Sequence, residues 1–199
     1  MPDSDSISRF PFMRSRAFAL PAVFLLAGSL GSAQAPTPSE PSEHQIKAAD
    51  LLNFGRFLRH AEPTEPGSSF DICTLGEDPV GHSLDEVAAK EIINNLPVHV
   101  RHLPDVTNAK GCAILYIGRS ERDHVREDLA ILGNSEILTV SDASDFLERG
   151  GMIQFLQVEN HVRFAVNLNA VNRTHIVLSS DLLRVAYSVN GKPLAEDQP

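Results

Sequence analysis

Short apolar runs separated by polar breaks organise this chain, and the period of each run predicts its element. Residues 152–158 and 161–168, MIQFLQV and HVRFAVNL, are rich in β-branched and aromatic side chains. Glu159-Asn160 joins them through two residues, and Asn tolerates positive φ, so the pattern predicts a β-hairpin. Along the first strand Ile153, Phe155 and Gln157 fall on one face and Met152, Gln154, Leu156 and Val158 on the other. Both faces carry apolar groups, so both are expected to be covered. Downstream, Ser179 or Ser180 followed by Asp181 marks a helix start. Leu182, Leu183, Ala186 and Val189 then supply one apolar stripe at helical spacing, which Asn190-Gly191 ends.

The same reading upstream predicts a helix over 43–60, a strand over 70–76, a helix over 82–93 and strands over 97–103 and 112–118. A helix over 119–132, a strand over 135–141 and a short helix lead into the hairpin, and a helix over 179–190 follows it. Ile114, Leu115, Tyr116 and Ile117 form a nearly continuous apolar run, as a central strand covered on both faces requires. Asp78-Pro79 reads as a turn releasing the chain into a helix near His82 or Ser83, and Gly118-Arg119-Ser120 as a helix start capped by Ser120. In that helix Val125, Leu129 and Leu132 give the buried side, while Glu121, Arg122, Asp123, Arg126, Glu127 and Asp128 form a solvated mixed-charge face. Strands alternating with helices define an α/β class: a single layered domain with a mixed, partly parallel sheet, helices on both faces and a late β-hairpin. The sequence shows no internal repeat and no second domain.

The N-terminus changes the picture. Arg9, Arg14 and Arg16 precede an apolar run over 17–30, and Ala33-Gln34-Ala35 stands before Pro36. This is the layout of a cleaved secretory signal over residues 1–35, with Met1 or Met13 as its start. The run is short for a bilayer span, and no cysteine follows it to carry a lipid anchor. Residues 36–43, PTPSEPSE, read as a disordered linker, residues 44–191 as the domain and 192–199 as a flexible tail. Residues 36–199 are long enough for one domain with a core. The whole chain carries a formal charge of −9, and losing three Arg and two Asp with the signal leaves the exported chain more acidic by a single charge. That charge argues against nucleic acid and against an anionic membrane face as partners.

Candidate chemistry is sparse. The two cysteines, Cys73 and Cys112, both lie in the exported region, on or beside apolar strands. One disulfide between them and two buried thiols that never meet are both compatible with that placement, while the absence of Cys-x-x-Cys argues against a redox enzyme. Of the eight histidines, His99 and His102 sit three apart on a predicted strand and so point to opposite faces, and the others are scattered singly, so no metal site is expected. Gly-x-Ser-x-Gly is absent, and the 74–81 loop lacks a phosphate-binding glycine pattern and carries Glu77 and Asp78, which would repel phosphate. Asn167, Asn169, Asn172 and Arg173 concentrate polar groups beyond the hairpin, either as backbone caps or as the rim of a ligand or partner site. No catalytic residue and no cofactor is expected.

LTVSD, then GGMI, then a hairpin ending in VRFAVNL, then SSDLLRVA, preceded by IKAADLLNFGRFLRH, FDICTLGEDPVG and CAILYIGRS, resembles the ordered pattern of the periplasmic YfiR family. Two departures stand out. HAEPTEP replaces the Trp-Pro that members often carry after the first helix, and Gly150-Gly151 stands near extra cysteines found in some members. The resemblance implies that Cys73 and Cys112 pair. It also implies a soluble periplasmic regulator, not an enzyme, that inhibits a membrane-bound diguanylate cyclase by binding its periplasmic sensor region. An outer-membrane lipoprotein would capture the regulator, and family members suggest a homodimer; the binding residues themselves are not identified by the sequence. The competing expectation from the fold class is a periplasmic small-solute-binding module, with a cleft near Gly76, Gly118 and Ser141 at the carboxyl ends of the parallel strands. An enzyme is a third class, which a cluster of perturbed acidic or His side chains in one pocket would revive.

Overall fold

The computed structural model describes residues 41–59, 68–77 and 79–194. The expected signal, most of the linker and the last five residues of the tail lie outside the described residues. Helix α1 (Glu43–Phe57) opens on a capping box: the Ser42 hydroxyl accepts from the Gln45 N–H, and the Gln45 side chain accepts from the Ser42 N–H. Then follow β1 (Leu58–Arg59), β2 (Phe70–Leu75), α2 (Pro79–Ala88), β3 (Ile92–Ile93), β4 (Leu96–Leu103) and β5 (Ile114–Ile117). The chain continues through α3 (Val125–Leu132), β6 (Leu138–Ser141), β7 (Ile153–Val158), β8 (His161–Val166) and α4 (Leu168–Val171). It closes with β9 (Val177–Leu178), α5 (Ser180–Val185), β10 (Ser188–Val189) and β11 (Lys192–Pro193).

Nine strands build one mixed sheet in the order β11-β10-β8-β7-β6-β5-β2-β4-β3. Its centre is parallel, from β4 through β2, β5 and β6 to β7. The long hairpin turns β8 antiparallel to β7, and β10 returns parallel to β8. β1 and β9 form a separate antiparallel pair, Leu58 opposite Leu178.

Alternation along the central strands sorts their side chains between two cores. Phe70 and Ile72 of β2, Ile114 and Tyr116 of β5 and Leu138 and Val140 of β6 pack with α1, α2, α4 and α5. Cys73 and Leu75, with Leu115 and Ile117, face the other way onto α3 and the 3₁₀ turn Val106–Ala109. The class expected from the sequence is therefore the one observed. Phe54 of α1 stacks on Phe155 at 5.7 Å and meets Phe164 edge-on at 4.9 Å, which docks the helix against the hairpin. Cys73 and Cys112 are bonded, with their Cα atoms 5.9 Å apart, and this disulfide ties β2 to the segment leading into β5 in the second core.

Several expected boundaries moved, each for a local reason. The last helix stops at Val185 instead of running to 190, and Val189 lies in β10. Asn190-Gly191 does not end a helix: it is the two-residue tip of a β10–β11 hairpin, with φ of 49° and 73°. Lys192 and Pro193 are thus a strand rather than tail. Asn94-Asn95, at φ 52° and 65°, makes another such tip between β3 and β4, close behind residues that the sequence assigns to a helix. Ser42 and Glu43, assigned to the linker, belong to the cap and first turn of α1. α2 begins at Pro79, ahead of the expected start, because proline suits the first helical position. Ser120 caps no helix; the expected helix splits into the 3₁₀ turn Arg119–Glu121 and α3, and the Ser120 hydroxyl accepts from the Glu77 N–H instead. Asp128, expected on the solvated face, is buried, which raises its carboxyl above its ordinary value. The hairpin of β7 and β8 stands where the sequence placed it, and its tip Glu159-Asn160 has φ of 47° and 65°.

Two outcomes test this fold. Replacing both cysteines by alanine opens a loop closed across a sequence separation of 39, and stability should fall by up to about 4 kcal/mol in the chain-entropy account. A denaturant midpoint unchanged from the oxidised parent would refute that role. The second outcome concerns Asp50 of α1, whose carboxyl burial pushes from 3.8 up to about 6. The folded state then binds more protons than the unfolded chain between those values, so stability contributed by this group is present below pH 3.8 and lost as pH rises through about 6. Asp50→Asn should raise the melting temperature at pH 7 and leave it nearly unchanged at about pH 2.5, where the carboxyl is protonated in both states.

Candidate functional site

Open α/β sheets bind ligands outside the carboxyl ends of the strands where the strand order reverses. Here that reversal falls at β2, which pairs with β4 on one side and β5 on the other. Gly76, Gly118 and Ser141 do meet at this end, as expected, but they are stitched together. The Gly118 N–H donates to the Leu75 carbonyl at 2.9 Å, and the Ser141 hydroxyl donates to the Ile117 carbonyl at 2.7 Å. A side chain on Gly76 would overlap the Ser120 hydroxyl. The 3₁₀ turn Arg119–Glu121 therefore fills the mouth in which a solute cleft was expected.

Beside that mouth lies a buried charge cluster that sequence reasoning misses. Lys47 Nζ is 2.7 Å from both Asp142 Oδ2 and Glu43 Oε1, with its side chain 4% exposed. Arg119 reaches the same Asp142 oxygen at 3.1 Å, and Lys47 sits 5.9 Å from the Phe155 ring centre. The hydrogen bond from Lys47 holds the Glu43 carboxyl below its ordinary value. These contacts fasten the start of α1 to the end of β6, and the cluster serves as an anchor between them.

A hydrogen-bonded series also joins Asp85, His102 and Thr74. His102 Nδ1 is 2.8 Å from Thr74 Oγ1, and His102 Nε2 is 3.0 Å from Asp85. The arrangement is that of an activated hydroxyl, yet Thr74 is 3% exposed and Gly81 of α2 lies directly over it. No substrate reaches that oxygen, so the series serves to dock α2 on the sheet. His99 and His102 fall on opposite faces of β4 as the spacing required, and the described residues contain no group of three or more ligands able to hold a metal ion.

Two concave regions stand out among the described residues. A wide cleft of about 900 Å³ opens at the amino ends of β2, β4 and β5, with Arg56, Arg59 and Lys110 against Glu136 on its wall and Cys112 in its lining. A smaller cavity of about 310 Å³ lies between the end of α3 and the loop before β7. Of the polar residues expected to cap or to rim a site, Asn167 caps the backbone with its side chain. The Asn167 side chain accepts from the Ala170 N–H and donates to the Leu147 carbonyl, and the Asn190 side chain accepts from the Asn169 N–H. Arg173 instead lines the smaller cavity. Exposed apolar side chains gather at the carboxyl-terminal sheet edge, at Val185, Tyr187 and Leu194.

What this geometry defines is a disulfide-tied α/β module with recesses for contact. The model of the YfiR/HmsC-like family matches residues 44–187, and the chain belongs to that family, a family of periplasmic regulators of cyclic di-GMP signalling. The match ends before the β10–β11 hairpin. Among solved structures the chain is similar to a conserved domain protein from Vibrio cholerae O1 biovar El Tor str. N16961, at 13% identity and a TM-score of 0.49. That likeness covers 76% of this chain, and this chain spans 61% of that one. No curated protein matches the chain.

The anchor gives a direct test. Lys47→Ala leaves Asp142 buried with only the exposed end of Arg119 beside it, and should cost about 3 kcal/mol, the lower end for breaking a buried pair. Thermal unfolding checks this, and a loss under about 1 kcal/mol, the range of an ordinary surface pair, would show the cluster to be incidental.

Proposed function

We propose that this protein is a periplasmic inhibitor of a membrane-bound diguanylate cyclase, acting by binding the cyclase's periplasmic sensor region and so lowering cyclic di-GMP output. The observation that carries the reading is the family match over residues 44–187. The disulfide between Cys73 and Cys112 supports an oxidising compartment. In this reading residues 1–35 are the cleaved export signal, residues 36–43 a linker whose last two residues cap and open α1, and residues 44–191 the regulatory domain, without a catalytic role. Among the described residues no helix is long and apolar enough to cross a membrane.

The mechanism is mass action between conformations. A regulator inhibits only by holding the inactive form of the sensor more tightly than the active one. Turning a cyclase from almost fully active to almost fully inactive takes a differential affinity of about 10,000-fold. An outer-membrane lipoprotein that captures the regulator removes it from that equilibrium and releases the cyclase. A homodimer, as the family suggests, would present two such surfaces. The second reading, a small-solute-binding module, draws support from the cavities of about 900 and 310 Å³ and not from the carboxyl-end cleft, which is filled.

Deleting the gene should raise cellular cyclic di-GMP and increase biofilm, and expression of the exported form should restore both. Unchanged cyclic di-GMP in the deletion strain would remove the cyclase reading and leave solute binding as the better account.

A further inference from the structure

Unlike the wider cleft, the smaller cavity has basic residues and no carboxylate in its lining. Three arginines, Arg126, Arg149 and Arg173, line it, and no Asp or Glu does, in a chain whose formal charge is −9. They come from three separate elements: Arg126 from the first turn of α3, Arg149 from the loop before β7 and Arg173 from the segment after α4. Arg149 is already committed, to Asp145 at 2.6 Å and to the Arg122 carbonyl at 3.0 Å. Among the described residues the guanidinium groups of Arg126 and Arg173 have no hydrogen-bond or ion-pair partner. Two unspent guanidinium groups thus border one recess.

The buried part of the lining is mostly apolar, with Thr139 its polar member. Ile137 and Met152 are each 7% exposed and Ala170 is 2% exposed, and all three line it. Arg126, Ala130 and Gly133 lie on one face of α3 and its cap, at i, i+4 and i+7, so the helix presents a charge and then a small, open surface. Gly150, at φ 104°, passes beneath Arg173: a side chain added there would lie 3.8 Å from Arg173 Nη2. The carbonyl end of α3 also faces this region and offers a partial negative charge, but about half an elementary charge does not cancel two full ones.

An apolar floor under a pair of planar cationic forks matches a ligand with the same division. Guanidinium groups bind carboxylates through paired N–H donors, and the body of such a ligand covers the floor. The volume of about 310 Å³ is at the small end for ligand pockets, about that of ten waters in the liquid. An inorganic anion would leave the floor wet, and an uncharged apolar molecule would leave both arginines unpaired. We propose that this cavity binds a small organic monocarboxylate, its carboxylate held by Arg126 and Arg173 and its apolar body resting on Ile137, Met152 and Ala170. The inference stands apart from the cyclase reading, because that reading assigns no partner contact to this face of the molecule.

The test is calorimetric titration of the exported, oxidised chain with phenylacetate and with octanoate, and with phenylacetamide and inorganic phosphate beside them. One saturable site for at least one of the two carboxylates, with the amide and phosphate binding at least about tenfold more weakly, is the expected result. Arg126→Gln and Arg173→Gln should each weaken carboxylate binding about tenfold, the equivalent of one charge-assisted hydrogen bond. Ala130→Phe, at an exposed position on the cavity wall, should block it while leaving the melting temperature of the free protein in place. Absence of saturable binding for both carboxylates, equal binding of the amide, or full binding by Ala130→Phe each overturns the proposal. Because the readout is direct binding, none of these results bears on whether cyclic di-GMP rises in a deletion strain.

Discussion

Everything in this fold answers to the need to cover β2 and β5 on both faces. All four residues of β5 and five of the six in β2 are buried, and an apolar strand with no polar face has no stable place except between two layers. One layer is α1 with α2, and the other is α3 with the 3₁₀ turn at Val106–Ala109. The second layer is thin, built of one eight-residue helix and short turns. The disulfide lies in that layer, tying β2 to the segment that leads into β5. A covalent tie there adds to what apolar burial supplies in the thinner layer.

The second organising choice is to close the usual ligand position. The carboxyl ends of the central strands are occupied by the turn at Arg119–Glu121, with Ser120 and Ser141 bonding back to neighbouring backbone and Lys47 with Asp142 locking α1 alongside. A buried ion pair of this kind is weak evidence for added stability, since desolvation consumes much of the attraction. It does fix where a helix end must sit. The open recesses are consequently pushed elsewhere, to the amino ends of the strands and to the flank between α3 and the loop before β7.

The long periods are legible in the sequence and the short ones are not. The β7–β8 hairpin declares itself because six paired residues flank Glu159-Asn160 on each side. Asn94-Asn95 and Asn190-Gly191 are turns of the same kind, but each joins pairs only two residues long. Too little alternation surrounds them to outweigh a neighbouring helix, so Val189 falls in step with a helical stripe that it does not join. The capping box at Ser42 and Gln45 does have a local signal, Ser-x-x-Gln ahead of an apolar run. The Lys47–Asp142 anchor and the arginine-bordered cavity have none, because their members lie on elements far apart in sequence and only the sheet order brings them together.

A rigid, doubly covered domain constrains how it can regulate anything. A disulfide ties its core strands, and its first helix is anchored at both a capping box and a buried ion pair. In the regulation proposed above, selectivity between partner conformations would come from the surface it presents. Any influence of a bound carboxylate on partner capture has to appear as a coupling free energy, and coupling is reciprocal: if the ligand loosens the regulator's grip on a sensor, the sensor loosens the ligand by the same factor. The flank cavity borders α3 and the loop that leads into β7, and Gly151 of that loop packs so closely on Phe146 that a side chain there would collide with the ring. Movement of that loop therefore means repacking Phe146, a fully buried member of the thin core layer.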